Sequence, residues 1–184
     1  MSDKIFEKFP EIKLDDGIIL RQILPDIDYL YFYNYITDPK VTAYLAPEDI
    51  PSNQESAKFE LGYWARLFDR HNSFYWAIVV ERANRIIGTC GFNFWNRSQK
   101  RVEISYDLDH NYWGKSITTN AVKAISDFAF MQMEAQRIQA TVAIDNIPSI
   151  RVLEKSNFKK EGVLEKYGFL NNQPRDFYMY AICR

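Results

Sequence analysis

A chain of 184 residues with 23 basic and 24 acidic side chains, net charge -1, is the size of one ordinary domain. The charge balance excludes a general nucleic-acid binder and a polybasic membrane anchor, both of which need a basic excess. With 47 % apolar residues, a chain of this length buries roughly 70 % of its unfolded surface and needs no disulfide or metal staple. Thirteen Phe, four Trp and twelve Tyr are an aromatic excess, which serves a core, an interface or a ligand pocket.

In chain order, residues 18–23 read as a strand. Pro25 and Asp26 open an aromatic-rich helix in which Ile27, Leu30, Tyr31 and Asn34 share a face, and Thr37-Asp38-Pro39 ends it. Pro47 and Pro51 mark a loop. Ser52 or Asn53 then caps a helix over about 54–70, whose Phe59, Tyr63, Leu67 and Ala57, Leu61, Trp64, Phe68 form a broad apolar stripe. Residues 74–80, the longest apolar run, are far short of the roughly 20 that cross a bilayer and read as a buried strand. A turn at 82–85, with Asn84 suited to positive φ, returns the chain through 86–94 as a hairpin. Residues 101–108 alternate: Val102, Ile104, Tyr106 and Leu108 face one way, Glu103, Ser105 and Asp107 the other.

A helix over about 117–132 follows, with Ala121, Val122, Ile125, Phe128 and Ala129 at helical spacing, then a strand over 137–143. Pro148 opens a short helix over 149–155, and strands at 159–167 and 177–182 flank an Asn171-Asn172-Gln173-Pro174 turn. The order β-α-α-β-β-β-α-β-α-β-β fits neither a wholly parallel nor a wholly antiparallel sheet. The segment 101–143 predicts a parallel pair with a right-handed crossover and the rest hairpins. An α/β fold follows, with a mixed sheet of about seven strands and helices on both faces.

Cys90 and Cys183 lack metal or redox spacing, and His71 and His110 are the two histidines, so no metal site is expected. The first ten residues carry no apolar h-region. The expectation is a cytoplasmic protein, a monomer or homodimer, with one domain over 1–184 and residues 1–13 as a loosely ordered N-terminal extension.

The stretch from Glu103 to Asn120 carries the chemistry. A strand that runs through a loop into a helix gathers unpaired N–H groups at a positive helix end, which suits an anion such as phosphate. Gly114 permits close backbone approach, Lys115 adds a charge, and Ser116, Thr118 and Thr119 supply hydroxyls. A plain turn before a helix has the same look. Both the Walker pattern and G-x-G-x-x-G are absent.

Residues 103–108 (EISYDL), 112–121 (YWGKSITTNA) and 146–158 (NIPSIRVLEKSNF), with Glu161-Gly162 after them, are specific. They resemble the Gcn5-related N-acetyltransferase (GNAT) superfamily, most of all its ribosomal-protein N-terminal acetyltransferase (RimJ/RimL-like) branch. Ile86 to Gly91 and Tyr167, Asn171, Asp176 and Tyr180 extend the match over about residues 14–182.

The resemblance implies acetyl-CoA as donor, direct attack by an amine, and a parallel strand pair that splays apart. It places the pyrophosphate in an amide cradle from Trp113 to Asn120, including Gly114, Lys115, Ser116, Ile117, Thr118 and Thr119. The pantetheine arm falls on the strand edge Tyr106, Asp107, Leu108. Where the branch has a second glycine this chain has Ser116, which is tolerable there at negative φ. Asn157 replaces another glycine, at a helix end that suits Asn. Leu153 stands where many members carry a tyrosine acid, which leaves Ser149 as donor to the departing thiolate or as a plain helix-start serine.

Glu103 is the preferred base for the acceptor ammonium, against a solvated strand carboxylate, with Asp107 and Glu161 as alternatives. Asn146 either contacts pantetheine or caps its helix. Arg151 and Lys155 either reach a phosphate or adenine or lie on an exposed face. The aromatic residues 29–35 lie where this superfamily binds its acceptor, with core packing as the competing role. The acceptor is expected to be a protein N-terminal α-amine; a small amine, or a non-catalytic CoA-binding domain, are the other readings.

Overall fold

The computed structural model describes residues 3–170 and 173–184. Strands β1 (Ile12–Lys13), β2 (Ile18–Gln22), β3 (Tyr75–Val80), β4 (Arg85–Asn96), β5 (Arg101–Leu108), β6 (Arg137–Ala143), β7 (Lys159–Leu170) and β8 (Gln173–Cys183) form one sheet. Its order is β1-β2-β3-β4-β5-β6-β8-β7. The pairings are antiparallel except β5 with β6. The helices are α1 (Pro25–Ile36), α2 (Pro39–Thr42), α3 (Gln54–Asp69), α4 (Ile117–Met131) and α5 (Ile147–Lys155). The sheet has eight strands instead of about seven: Ile12 and Lys13 pair with Leu20 and Ile19, too briefly to leave a pattern in the sequence.

Strand β3 shows why the aromatic excess exists. Phe74, Trp76 and Ile78 enter the core beneath α4 and α5, whereas Tyr75, Ala77 and Val79 enter a second core beneath α1 and α3. A strand covered on both faces reads as an unbroken apolar run. Trp76 meets Phe92 and Phe128 edge-on, at centroid distances of 5.9 and 5.4 Å.

The N-terminal extension is not loose over its described part. Phe6 and Phe9 are buried, Phe6 stacks on Phe74 at 4.8 Å, and Trp76 Nε1 donates to the Pro10 carbonyl at 2.7 Å. Two aromatic rings remove enough apolar surface from water to fix a short segment without helix or strand pattern.

The apolar stripe of α1 also differs from the expectation. Ile27, Leu30 and Tyr31 are 51, 42 and 48 % exposed, and the buried face is Asp28, Phe32, Tyr35 and Ile36. Asp28 turns inward because Arg21 on β2 grips it bidentately, Nη1 to Oδ2 at 2.8 Å and Nη2 to Oδ1 at 2.7 Å. On α3, Ala57 and Leu61 are buried while Phe59 and Tyr63 face outward. Asn53 caps α3, its Oδ1 accepting from the Ser56 amide at 2.9 Å. The closing hairpin is longer than expected, and Asn171 and Asn172 of its turn lie outside the described residues.

Candidate active site

Strands β5 and β6 stay paired over three positions, Arg101 with Arg137, Val102 with Ile138 and Glu103 with Gln139, and then part. Beyond that point β6 continues on its other edge with β8, and β5 with β4. The edge of β5 from Ile104 onward that faces β6 therefore carries backbone groups free of that ladder. A cavity of about 440 Å³ opens at the gap.

Three of its walls come from segments singled out in the sequence. Tyr106, Asp107 and Leu108 contribute the strand edge. Trp113, Gly114 and Ser116, with Ile117, Thr118 and Thr119, contribute the loop and the first turn of α4. Asn146, Ser149, Arg151 and Lys155 contribute one side of α5. The structure thus gathers fourteen residues scattered over three motifs, less Lys115, at one opening: Lys115 points its ammonium over the Tyr112 ring at 4.8 Å. Glu103 lies at the last paired position, off the cavity wall, where its Oε2 accepts from Gln139 Nε2 at 2.9 Å.

The loop geometry corrects one expectation. Ser116 has φ 58 and ψ 8, in the left-handed region and not at negative φ, and Gly114 has φ 76. These two positive-φ residues on either side of Lys115 bend the loop into the N-terminal end of α4, where a helix favours an anion. The turn imposes this shape whatever residue occupies it, so Ser116 carries a conformational cost of roughly 1 kcal/mol. Asn157, at φ 66, meets the same demand more easily.

On the far wall Asn146 Oδ1 accepts from the Ser149 amide at 3.1 Å, so Asn146 caps α5 and also faces the cavity. Ser149 Oγ is 2.8 Å from the Tyr106 hydroxyl, which also donates to the Ser149 carbonyl at 3.2 Å. Tyr106 therefore reaches across the parted strands, and burial pushes its phenol well above the usual range. A hydroxyl pair of this kind can hand a proton to a group in the cavity and be replenished along the pair.

Sequence reasoning missed a fourth wall of the site. Val41, Tyr44 and Leu45, at the end of α2 and just beyond it, also line the cavity. His110 Nδ1 lies 3.3 Å from Asp38 Oδ2, joining the start of α2 to the loop before α4. Asp38, which caps α2 by accepting from the Lys40 amide at 2.9 Å, and Pro39 at its first position were the available signals for that short helix.

On the opposite face of β5, Asp107 Oδ1 accepts from the Tyr35 hydroxyl at 2.7 Å and the Thr89 amide at 3.0 Å, while Oδ2 accepts from Thr89 Oγ1 at 2.5 Å. Tyr75 bonds the Ser105 hydroxyl, and Trp64 stacks on Tyr75 at 4.7 Å. Of the aromatic residues 29–35, Phe32 and Tyr35 are core, and Tyr31 is on the surface. Among the described residues no group of three or more His, Cys, Asp or Glu could hold a metal ion, and no helix is long and apolar enough to cross a membrane.

Known proteins similar to this chain are found both in sequence and in structure. The model of the acetyltransferase (GNAT) domain matches residues 18–159. An uncharacterized N-acetyltransferase p20 of Bacillus licheniformis is 34 % identical over 171 residues, 92 % of this chain and 94 % of that protein. RimL, a ribosomal L7/L12 alpha-N-protein acetyltransferase solved with coenzyme A, superposes with a TM-score of 0.85 at 20 % identity, covering 95 % of this chain and 98 % of RimL. The microcin C7 self-immunity acetyltransferase MccE, solved with acetyl-CoA and AMP, gives 0.83 at 23 % identity over 94 % of this chain and 96 % of MccE. The chain therefore belongs to the GNAT family of N-acetyltransferases, acyltransferases that use acetyl-CoA.

Proposed function

We propose that this N-acetyltransferase acts on a protein N-terminal α-amine, by direct attack of the amine on the thioester of acetyl-CoA. The observation that carries the reaction is the parting of β5 from β6 at Glu103 and Gln139, directly beside the left-handed loop at Gly114–Ser116. The loop amides and the start of α4 hold the pyrophosphate, with Thr118 and Thr119 as hydroxyl donors. The open edge of β5 at Tyr106–Leu108 pairs with the pantetheine amides and leaves N–H groups for the charge that develops on the carbonyl oxygen. Ser149, backed by Tyr106, donates to the departing thiolate, and Arg151 and Lys155 on α5 meet the phosphates at the cavity rim. Proton removal from the acceptor falls to a carboxylate of β5, Glu103 on sequence grounds.

The similarity to RimL supports the N-terminal acceptor, and the similarity to MccE favours a small amine as the second reading. A panel of free N-terminal peptides, Nα-blocked lysine peptides, polyamines and aminoglycosides, incubated with acetyl-CoA and read by mass spectrometry, separates them. Transfer to free N-termini is expected; transfer confined to small amines would replace the first reading by the second.

A further inference from the structure

Resting on the acetyl-transfer reading, we propose that Asp107, and not Glu103, takes the proton from the acceptor ammonium. Glu103 is engaged with Gln139 where the strands are still closed. Asp107 is four residues further along the same face of β5 and lines the cavity. A carboxylate accepts about four hydrogen bonds. Asp107 receives three, two on Oδ1 from Tyr35 and Thr89 and one on Oδ2 from Thr89, so Oδ2 keeps an acceptor position for a ligand.

The titratable groups around it are Tyr35 from α1, Tyr75 from β3, Cys90 from β4 and Glu60 from α3, with Asp49 beyond Glu60. None is basic. A carboxylate enclosed without a cation is costly, and an arriving ammonium supplies the missing charge. Burial lifts the Asp107 carboxyl to about 6, with its three hydrogen bonds pulling the other way. Burial and the charges of Asp107 and Asp49 push Glu60 up to about 7. An α-amino group, at about 7.7–8.0, lies roughly two pH units above Asp107, and a lysine side chain, at about 10.4, roughly four. Such a base favours the N-terminal amine over the side-chain amine.

In the step, Asp107 Oδ2 takes one proton from R–NH3+, and the nitrogen lone pair forms the N–C bond as the C–S bond breaks. The thiolate takes a proton from the Ser149 hydroxyl, which is restored by the second proton the nitrogen loses. Asp107 then returns its own proton to solvent. The balance is one amide, one thiol and one proton released.

The test is a pH–rate profile of the parent, Asp107→Asn and Tyr35→Phe with a free N-terminal peptide. The parent should show an acid limb near pH 6. Asp107→Asn should lower kcat by about 100- to 10,000-fold, remove that limb and leave the KM for acetyl-CoA unchanged. Tyr35→Phe removes a hydrogen bond that holds the carboxyl down, so its limb should move to higher pH with most of the plateau rate kept. Retention of the parent's rate and limb by Asp107→Asn, or an unmoved limb in Tyr35→Phe, would overturn the assignment. Tyr35→Phe decides alone if thermal melting shows that Asp107→Asn does not fold. A parent that transfers acetyl to no amine overturns the functional reading and this assignment with it.

Discussion

On the face of the sheet that carries α4 and α5, apolar residues go where helical spacing sends them: Ala121, Val122, Ile125 and Ala129 are all buried. On the face that carries α1 and α3 the same reading fails, because Ile27, Leu30 and Tyr31 point outward and an aspartate points in. The difference lies in what fills each core. Beneath α4 the filling is almost wholly apolar, and the buried Thr119 and Ser126 are short hydroxyl side chains on the helix itself. Beneath α1 and α3 it includes polar pairs reaching between elements, Arg21 with Asp28 and Tyr35 with Asp107. A pattern that scores hydrophobicity position by position cannot see a partner distant in sequence.

The comparison breaks most visibly at Asp28. Asp28→Ala strands a buried guanidinium and should destabilise the fold by about 3–5 kcal/mol in urea unfolding. Replacing both partners together, Arg21→Met with Asp28→Leu, should recover most of that loss, since it turns this face into an apolar core like the other. On the α5 side, Ser149→Ala should lower kcat by roughly 10- to 100-fold. The thermal shift produced by acetyl-CoA should persist in that variant, because in the proposed mechanism the serine meets the leaving group and not the phosphates. Full activity in Ser149→Ala would leave water as the proton donor.

A smaller effect belongs to Ser116. Ser116→Gly relieves the left-handed strain and should stabilise the fold by about 1 kcal/mol, roughly 2–4 °C in Tm for a chain of this size. The smallest concerns Glu60, whose folded carboxyl lies near 7, above its ordinary value of 4.5. A raised carboxyl contributes stability that is complete below its unfolded pKa and is lost as pH rises through the folded one. Between pH 4.5 and about 7 the parent should therefore lose Tm relative to Glu60→Gln. Parallel melting curves for the two across that range would exclude it.

Much of the first face and of the cavity wall is legible in the sequence because its signals are local. The run from Tyr112 to Asn120 encodes the loop and the helix start within nine residues, and Asn146 caps the helix that bears Ser149. Ser116 was misjudged because the turn's geometry comes from the fold and tolerates a residue that does not prefer it. Val41, Tyr44 and Leu45 carry no periodicity, and tertiary contact alone brings them to the cavity. Phe6 and Phe9 have the same character, as isolated rings in a segment otherwise without pattern.

The placement of the two thiols bears on how turnover can be followed. Cys90 lies within the sheet, fully enclosed, and burial pushes its thiol far above the usual range, whereas Cys183 is exposed beside the Arg137 guanidinium. A disulfide-exchange dye that titrates released CoA reacts through the thiolate, so it should consume one protein thiol quickly and the second only on unfolding. Native enzyme should then give a background of one equivalent per chain, and Cys183→Ser should bring it to zero. The slow appearance of the second equivalent in denaturant would report opening of the sheet, with no added label.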